Sequence, residues 1–600
     1  MRRCLIAAGV AIVLAALLVV PAVVAASASP SPGPDETVYR IGVLEAFDGV
    51  NPFSAWSGPS TECFGLTYDF LTSYDREYKP VPGLARKWET SADGKTWTFR
   101  IIDGMKWQDG VPLTARDVAF TFNLILKTQD VTFSHYLDGV TSVTAPDDTT
   151  LVITTRRPNA GMLAIRIPVL PEHIWRGADP ENLGGFNNWP VVGSGPFRVA
   201  EQEKGRWVRM EANRDYPPEL GGPPTVDDVY FVLSPNADAL MRDYRAGRLD
   251  GIVDWPATYY KILKSLPGTT AVAAPAIGFH ELGFNCWASP RSKGDPLLRD
   301  VAVRQAIGWA IDRGKIDATS MEGLAVPGTS LISPVQGIWH WEVPAGQEVT
   351  FDPEKARQIL EDAGYVDTDG DGVRENAGGK KLDFRFVTLN EYPEDRAAGK
   401  LIVSWCADVG VKLRLERMDE GAFYDRVYPD ADYDVFIWSW RGDIDPGFLL
   451  STFTTAQILK WGDSQYSNPE YDKLYVAQAE ALAAAKPDDP TARKAITDKL
   501  QAVLYRDAPY VILWYNVNLQ AFRTDRWTGY GPVPVHGGAP FFNLTRDTYL
   551  ELKPRAAGAA TVESAASLRG YVLVAAAVVA AAAIVVVARA RRRPKAVDGA

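Results

Sequence analysis

Between residues 38 and 550 the apolar positions follow two periods, and at both ends of the chain the periodicity gives way to unbroken apolar runs. Short apolar segments bounded by turn residues predict strands at residues 38–44, 97–102 and 151–155, the last two following Asp93-Gly94-Lys95 and Pro146-Asp147-Asp148. Helices show a wider spacing. Thr114-Ala115-Arg116-Asp117 forms a capping box, and Val118, Phe122 and Ile125 fall on one face behind it. Asp352 and Pro353 open a second helix that Gly364 closes. Val303, Ile307, Ala310 and Ile311 mark a third. Strands and helices mixed irregularly, with no repeat at a fixed period, predict an α/β body of several packed sub-sheets and not a barrel.

The ends place this body relative to a membrane. Residues 1–28 carry Arg2 and Arg3, then an apolar run from Leu5 to Val24, then Ala25, Ala26, Ser27 and Ala28. That order reads as a secretory signal cleaved after Ala26 or Ala28. Cys4 precedes the apolar run, so it is not placed to become a lipidated mature terminus. Residues 571–588 (YVLVAAAVVAAAAIVVVA) hold no charge, and as a helix they would span about 27 Å against a hydrocarbon core of about 30 Å. Arg589, Arg591, Arg592, Arg593 and Lys595 follow at once, which predicts a cytoplasmic tail and an extracellular or periplasmic body. The expected order is a signal at 1–28, a Pro/Ser linker at 29–37, the body at 38–550, a small polar linker at 551–569, a transmembrane helix at 570–588 and a basic tail at 589–600.

Charge and composition narrow the function. The chain is 46% hydrophobic and 23% charged, with 18 Trp, 24 Tyr and 23 Phe among 600 residues, which excludes a disordered or multi-span chain. The net charge of -11 becomes -17 once the basic ends are removed, which argues against nucleic acid as a partner. Cys63, Cys286 and Cys406 are an odd number in the body, so at least one is unpaired and no disulfide framework holds the fold. G-x-S-x-G, H-E-x-x-H and Walker A motifs are absent, and the five histidines are scattered, so an enzyme is not expected.

The order of motifs resembles one known family. KPVPGLARKWETSADGKTWTFRIIDGMKWQDGVPLTARDVAFTFN (79–123) is similar to the family 5 extracellular solute-binding proteins of ABC importers, the dipeptide- and oligopeptide-binding group. VVGSGPFRV (191–199), Asn213 to Tyr216, YRAGRLDGI (244–252), LGFNCWASP (282–290), RDVAVRQAIGWAIDRGKI (299–316) and WSWRGDIDPGFLL (438–450) follow in family order. In the last segment the two aspartates stand one residue closer than in the dipeptide binders. The resemblance implies a large, type II, two-lobed periplasmic-binding-protein-like α/β fold with an extra subdomain in lobe one. It places lobe one at 38–280 and 513–550 and lobe two at 281–512, with hinges near Phe284 and Asn285 and near Leu513, Trp514 and Tyr515. It also implies a monomeric receptor that hands peptides to an ABC permease and needs no cofactor.

Ligand-binding candidates follow from the same segments. The resemblance implies that Asp443 pairs with a peptide α-ammonium, although it could also start the turn at Asp445-Pro446. Asp445 suits the turn better than the ligand. Trp440, Trp438, Trp56 and Phe47 are candidate cleft walls, but the buried pattern of residues 435–440 requires some of them in the core. Asn285 suits either the hinge strand or a ligand hydrogen bond. Arg385, Arg414 and Arg441 are possible partners of a peptide carboxylate. Asp367, Asp369 and Asp371 have calcium-loop spacing, but Gly378 stands where the twelfth ligand belongs, so a solvated hairpin is expected and no metal. An oligosaccharide receptor and a membrane-coupled sensor are the competing functions; a tail of twelve residues after Ala588 is too short for a signalling domain.

Overall fold

The computed structural model describes residues 37–555, apart from 131, 391, 429 and 483–488. The export segment at 1–28, the apolar run at 570–588 and the tail at 589–600 lie outside the described residues. Among those described, no helix is long and apolar enough to cross a membrane.

Two long strands, Thr269–Phe284 and Tyr510–Arg523, pair antiparallel and carry the chain between two lobes. Gly251–Val253, Val38–Val43, Asp228–Leu233, Trp207–Ala212 and Phe197–Glu203 extend the sheet into lobe one. Val435–Trp440, Asp383–Leu389 and Lys412–Met418 extend it into lobe two. With Val326–Pro327 paired to the second crossing strand, these make one eleven-stranded sheet through both lobes, because the crossing strands are long enough to serve both ends; a four-stranded and two two-stranded sheets accompany it among the described residues, the several sub-sheets that the sequence predicts. Residues 269–275 pair with 517–523, and residues 279–283 pair with 510–515. The ladder breaks between Pro275 and Phe279, opposite Asn516. Gly278 lies in that break at φ +107°, and a Cβ on it would sit 2.0 Å from the Trp440 carbonyl oxygen, so only glycine fits. Asn285 stands six residues past this break, at the lobe-two end of its strand.

The local signals in the sequence formed the elements they encode. The capping box at Thr114 opens helix Ala115–Thr128: Asp117 Oδ2 accepts from the Thr114 N–H at 2.9 Å, and Thr114 Oγ1 accepts from the Arg116 N–H at 3.2 Å. Its stripe of Val118, Phe122 and Ile125 is wholly buried. It packs against an antiparallel sheet ordered Ala85–Thr90, Thr96–Ile101, Thr150–Thr155 and Val140–Asp147, the extra subdomain of lobe one. In lobe two, helix Pro393–Asp408 crosses between the parallel strands Asp383–Leu389 and Lys412–Met418 and buries Ile402 and Cys406 against Phe384 and Phe386. Cys63, Cys286 and Cys406 are all free, and burial pushes each thiol up, Cys406 to about 12.

After the second crossing the chain returns to lobe one and is held there by buried charge. Arg546 Nη1 donates to Asp69 Oδ1 at 2.7 Å and to the Tyr216 hydroxyl at 2.6 Å. Arg546→Ala strands Asp69 in the core and is expected to cost about 3–5 kcal/mol, the usual penalty for removing one partner of a buried pair. Urea unfolding of the variant measures this; a loss below about 1 kcal/mol, as for an exposed pair, contradicts it.

Candidate functional site

The cleft is built where strand Val435–Trp440 ends beside the break in the crossing strands. Trp440 pairs with Phe279, and its carbonyl accepts from Asn516 Nδ2 at 3.0 Å. The loop at 441–446 therefore emerges at this break, and Asp443 within it meets Tyr136 of lobe one. Gln336 Nε2 braces it from below by donating to the carbonyls of Asp443 at 3.1 Å and Ile444 at 3.3 Å.

Asp443 meets lobe one directly, because the Tyr136 hydroxyl donates to its Oδ2. The Arg166 guanidinium acts on the same carboxylate from lobe one while stacking over Phe70 at 4.7 Å. Burial pushes the Asp443 carboxyl up, and Tyr136 and Arg166 offset part of that rise. Tyr74, buried on lobe one, lies within the field of Asp445, Arg166 and Asp443. Around this polar cluster the lobes touch elsewhere. The rings of His135 and Phe448 lie 4.3 Å apart, the Ala160 N–H donates to the Ala479 carbonyl at 2.9 Å, and Arg157 pairs with Glu480 at 3.3 Å. Burial lowers His135 to about 4, so it meets Phe448 as a neutral ring.

A second charged group also joins residues of the two lobes. Glu45 and Asp254 of lobe one and Arg441 of lobe two are solvent-exposed, yet protein surrounds the two acids closely enough to push both carboxyls up. Arg441 pulls both back down. Asp254 also holds a left-handed backbone at φ 53°, uncommon for a non-glycine residue.

The remaining candidates divide. Asp445 forms a two-point ion pair with the buried Arg493, 2.8 Å from Nη2 to Oδ1, and accepts from the Gly447 N–H at 2.7 Å. Its carboxylate is thus engaged within lobe two. Trp438 is 7% exposed and packs on Phe423, Tyr424 and Phe436, so it belongs to the core, whereas Trp440 is half-buried beside Phe448. Asn285 is buried and donates to the carbonyls of Ala431 at 2.8 Å and Tyr433 at 3.0 Å. Phe47 packs against the lobe-one core, and Trp56 projects into solvent. Arg385 is consumed by Asp432 and Asp434, and Arg414 pairs with Asp383. Arg166, Tyr136, Tyr74, Glu45 and Asp254 carried no motif that linear spacing could reveal; their positions come from five separate segments of lobe one.

Residues 79–460 match the bacterial extracellular solute-binding proteins, family 5, in the middle region of that family. The chain is 26% identical over 509 residues to the oligopeptide-binding protein AppA of Bacillus subtilis, covering 82% of this chain and 88% of that protein. The structure of AppA in complex with a nonapeptide has a TM-score of 0.71 at 24% identity, covering 87% of this chain and 100% of that chain. The periplasmic oligopeptide-binding protein of Thermotoga maritima with mannohexaose bound has a TM-score of 0.70 at 22% identity, covering 88% of this chain and 100% of that chain.

Behind the cleft wall lies a pair of buried acids. The Trp440 indole N–H donates to Asp463 Oδ2 at 3.1 Å, and Asp463 repels Glu281, whose two carboxyl oxygens are buried without a hydrogen-bond partner. Burial raises Asp463 to about 8, and burial with repulsion from Asp463 raises Glu281 well above the carboxylate range. Both folded values exceed the unfolded ones. Their stabilisation is therefore complete below the ordinary carboxylate range and is lost as pH rises through about 8. The melting temperature is expected to fall between pH 6 and pH 9, and Asp463→Asn to flatten that decline. Thermal unfolding across this range measures it; an equal decline in both proteins contradicts the assignment.

Proposed function

The chain belongs to the bacterial extracellular solute-binding proteins, family 5, and from that premise we propose that it is the extracytoplasmic substrate receptor of an ABC importer. It captures peptides between its lobes and delivers them to a membrane permease without chemistry. The observation that carries the peptide reading is the Asp443 carboxylate, half-buried at the closed lobe interface and met there by Tyr136. A peptide α-ammonium satisfies such a carboxylate with a charge-assisted hydrogen bond. Arg166 and Arg441 are the cations available to the other end of the ligand, one on each lobe. Trp440, Phe448 and Tyr74 supply aromatic surface that accepts varied side chains.

Closure follows from how little holds the lobes together. Among the described residues the contacts across the cleft include one tyrosine–aspartate bond, one ring pair, one backbone bond, the packing of Leu482 on the lobe-one core and a surface ion pair, the last worth at most about 1 kcal/mol. A ligand that bridges the lobes binds the closed state preferentially, and moving a 1:99 equilibrium to 99:1 takes about 5.5 kcal/mol of such preference. The register break at residues 276–278 opposite Asn516 supports placing the hinge there. We further propose that residues 570–588 anchor the receptor in the membrane, with the arginine-rich tail inside. The uncharged run and the cluster of arginines after it support this.

Calorimetry of the purified protein with a mixed peptide library should give saturable binding. Asp443→Ala should weaken it about 10- to 100-fold, the loss of one hydrogen bond to a charged group. Saturable binding of oligosaccharides with none of peptides overturns the peptide reading. Truncation after Ser567 should release the protein into the medium; a truncated chain that stays on the membrane overturns the anchor.

A further inference from the structure

Away from the cleft, residues 367–375 form a loop between helix Pro353–Asp362 and strand Asp383–Leu389 of lobe two. Reciprocal backbone hydrogen bonds of 3.0 Å between Val366 and Glu375 close it. One carboxylate oxygen from each of Asp367, Asp369 and Glu375 lies within 4.8 Å of the others. Asp367 and Asp369 are exposed, as in any acidic turn, but Glu375 is not. It is 5% exposed, its Oε1 accepts from the Thr368 N–H at 2.9 Å, and its Oε2 is buried with no hydrogen-bond partner. Burying a carboxylate oxygen without a partner costs free energy unless something positive meets it. Glu375 stands at the ninth position counted from Asp367. The fold thus brings a buried carboxylate to a loop whose twelfth position, Gly378, has none.

We propose that this loop is a calcium site, with Asp367, Asp369 and Glu375 as its carboxylate ligands. The donors are all hard oxygens, with no histidine or cysteine among them, which suits calcium over zinc or copper. Asp371 and Gly372 complete the Asp-x-Asp-x-Asp-Gly spacing, and Gly372 takes the φ of +87° that the sharp turn requires. Lys381 is the built-in competitor: its ammonium lies 2.7 Å from Asp369 and also pairs with Asp371. Its long side chain is one-third exposed and free to swing out when a divalent ion enters. The neighbouring Arg374 donates to the carbonyls of Tyr365 at 2.9 Å and Val409 at 3.1 Å and to Glu361 at 2.9 Å. Ordering the loop therefore braces the ends of helices Pro353–Asp362 and Pro393–Asp408.

The test is calorimetry of the purified full-length chain, first stripped with EGTA and then titrated with CaCl2 or MgCl2. One saturable calcium site is expected, on the order of the 10⁻⁴–10⁻³ M affinities of extracellular modules, with magnesium about tenfold weaker. Glu375→Gln should weaken calcium binding about tenfold or more by removing a charged ligand. Lys381→Met should tighten it at least about threefold, because the competing ammonium is gone. Absence of saturable calcium binding, or unchanged affinity in Glu375→Gln, overturns the site. If Glu375→Gln does not fold by circular dichroism, Lys381→Met decides, and unchanged or weaker affinity in that variant overturns it.

Discussion

Among the described residues, two long stretches of backbone join the sheet strands at one end to those at the other, and they are hydrogen-bonded to each other. Strands Thr269–Phe284 and Tyr510–Arg523 form one antiparallel ladder whose ends belong to different lobes. Such a pair resists bending wherever its hydrogen bonds are regular, so motion concentrates where they are not. The ladder is irregular at residues 276–278, where Gly278 lets the Trp440 carbonyl approach and Asn516 bonds that same carbonyl. The strand that leads to Asp443 is thus stitched to this break.

The charges around the cleft are graded by their access to water. Glu45, Asp254 and Arg441 stand open to solvent and oppose one another across the mouth. Asp443 lies deeper, under Tyr136 and within the field of Arg166. Two residues further on, Asp445 is saturated by Arg493 and a backbone N–H. Two aspartates in one short loop therefore have opposite roles. One remains at the interface between lobes; the other ties the loop to helix Thr491–Asp507. Burial raises the carboxyls of Asp443, Asp254 and Glu45 alike, so each carries an unfavourable charge where it stands.

Much of the architecture was legible along the chain, because the signals for it are local. The capping box at Thr114, Asp352 with Pro353, and the stripe of Val303, Ile307 and Ala310 each encode an element through residues a few positions apart, and each element formed there. Asp443 and Trp440 were legible through the order of family motifs. The role of Trp438 was not, since alternation along a strand identifies two faces but not which one meets a core and which a cleft. The burial of Glu375 beside Asp367 and Asp369 was not legible, because loop counting looks to position twelve, while the hairpin folds position nine inward.

The sequence by itself determined the α/β class, the helix and strand starts, and the order of family motifs that includes the segment bearing Asp443. These depend on backbone propensity, capping and periodicity, which act over a few residues. The tertiary structure alone decided that one sheet runs through both lobes and that the register breaks at Gly278. It also decided that Asp445 is spent on Arg493, that Tyr136 and Arg166 meet Asp443, and that Glu45 and Asp254 share the field of Arg441. Each of these joins segments far apart in the chain, and nothing local distinguishes a charge that will be paired from one that will face a ligand.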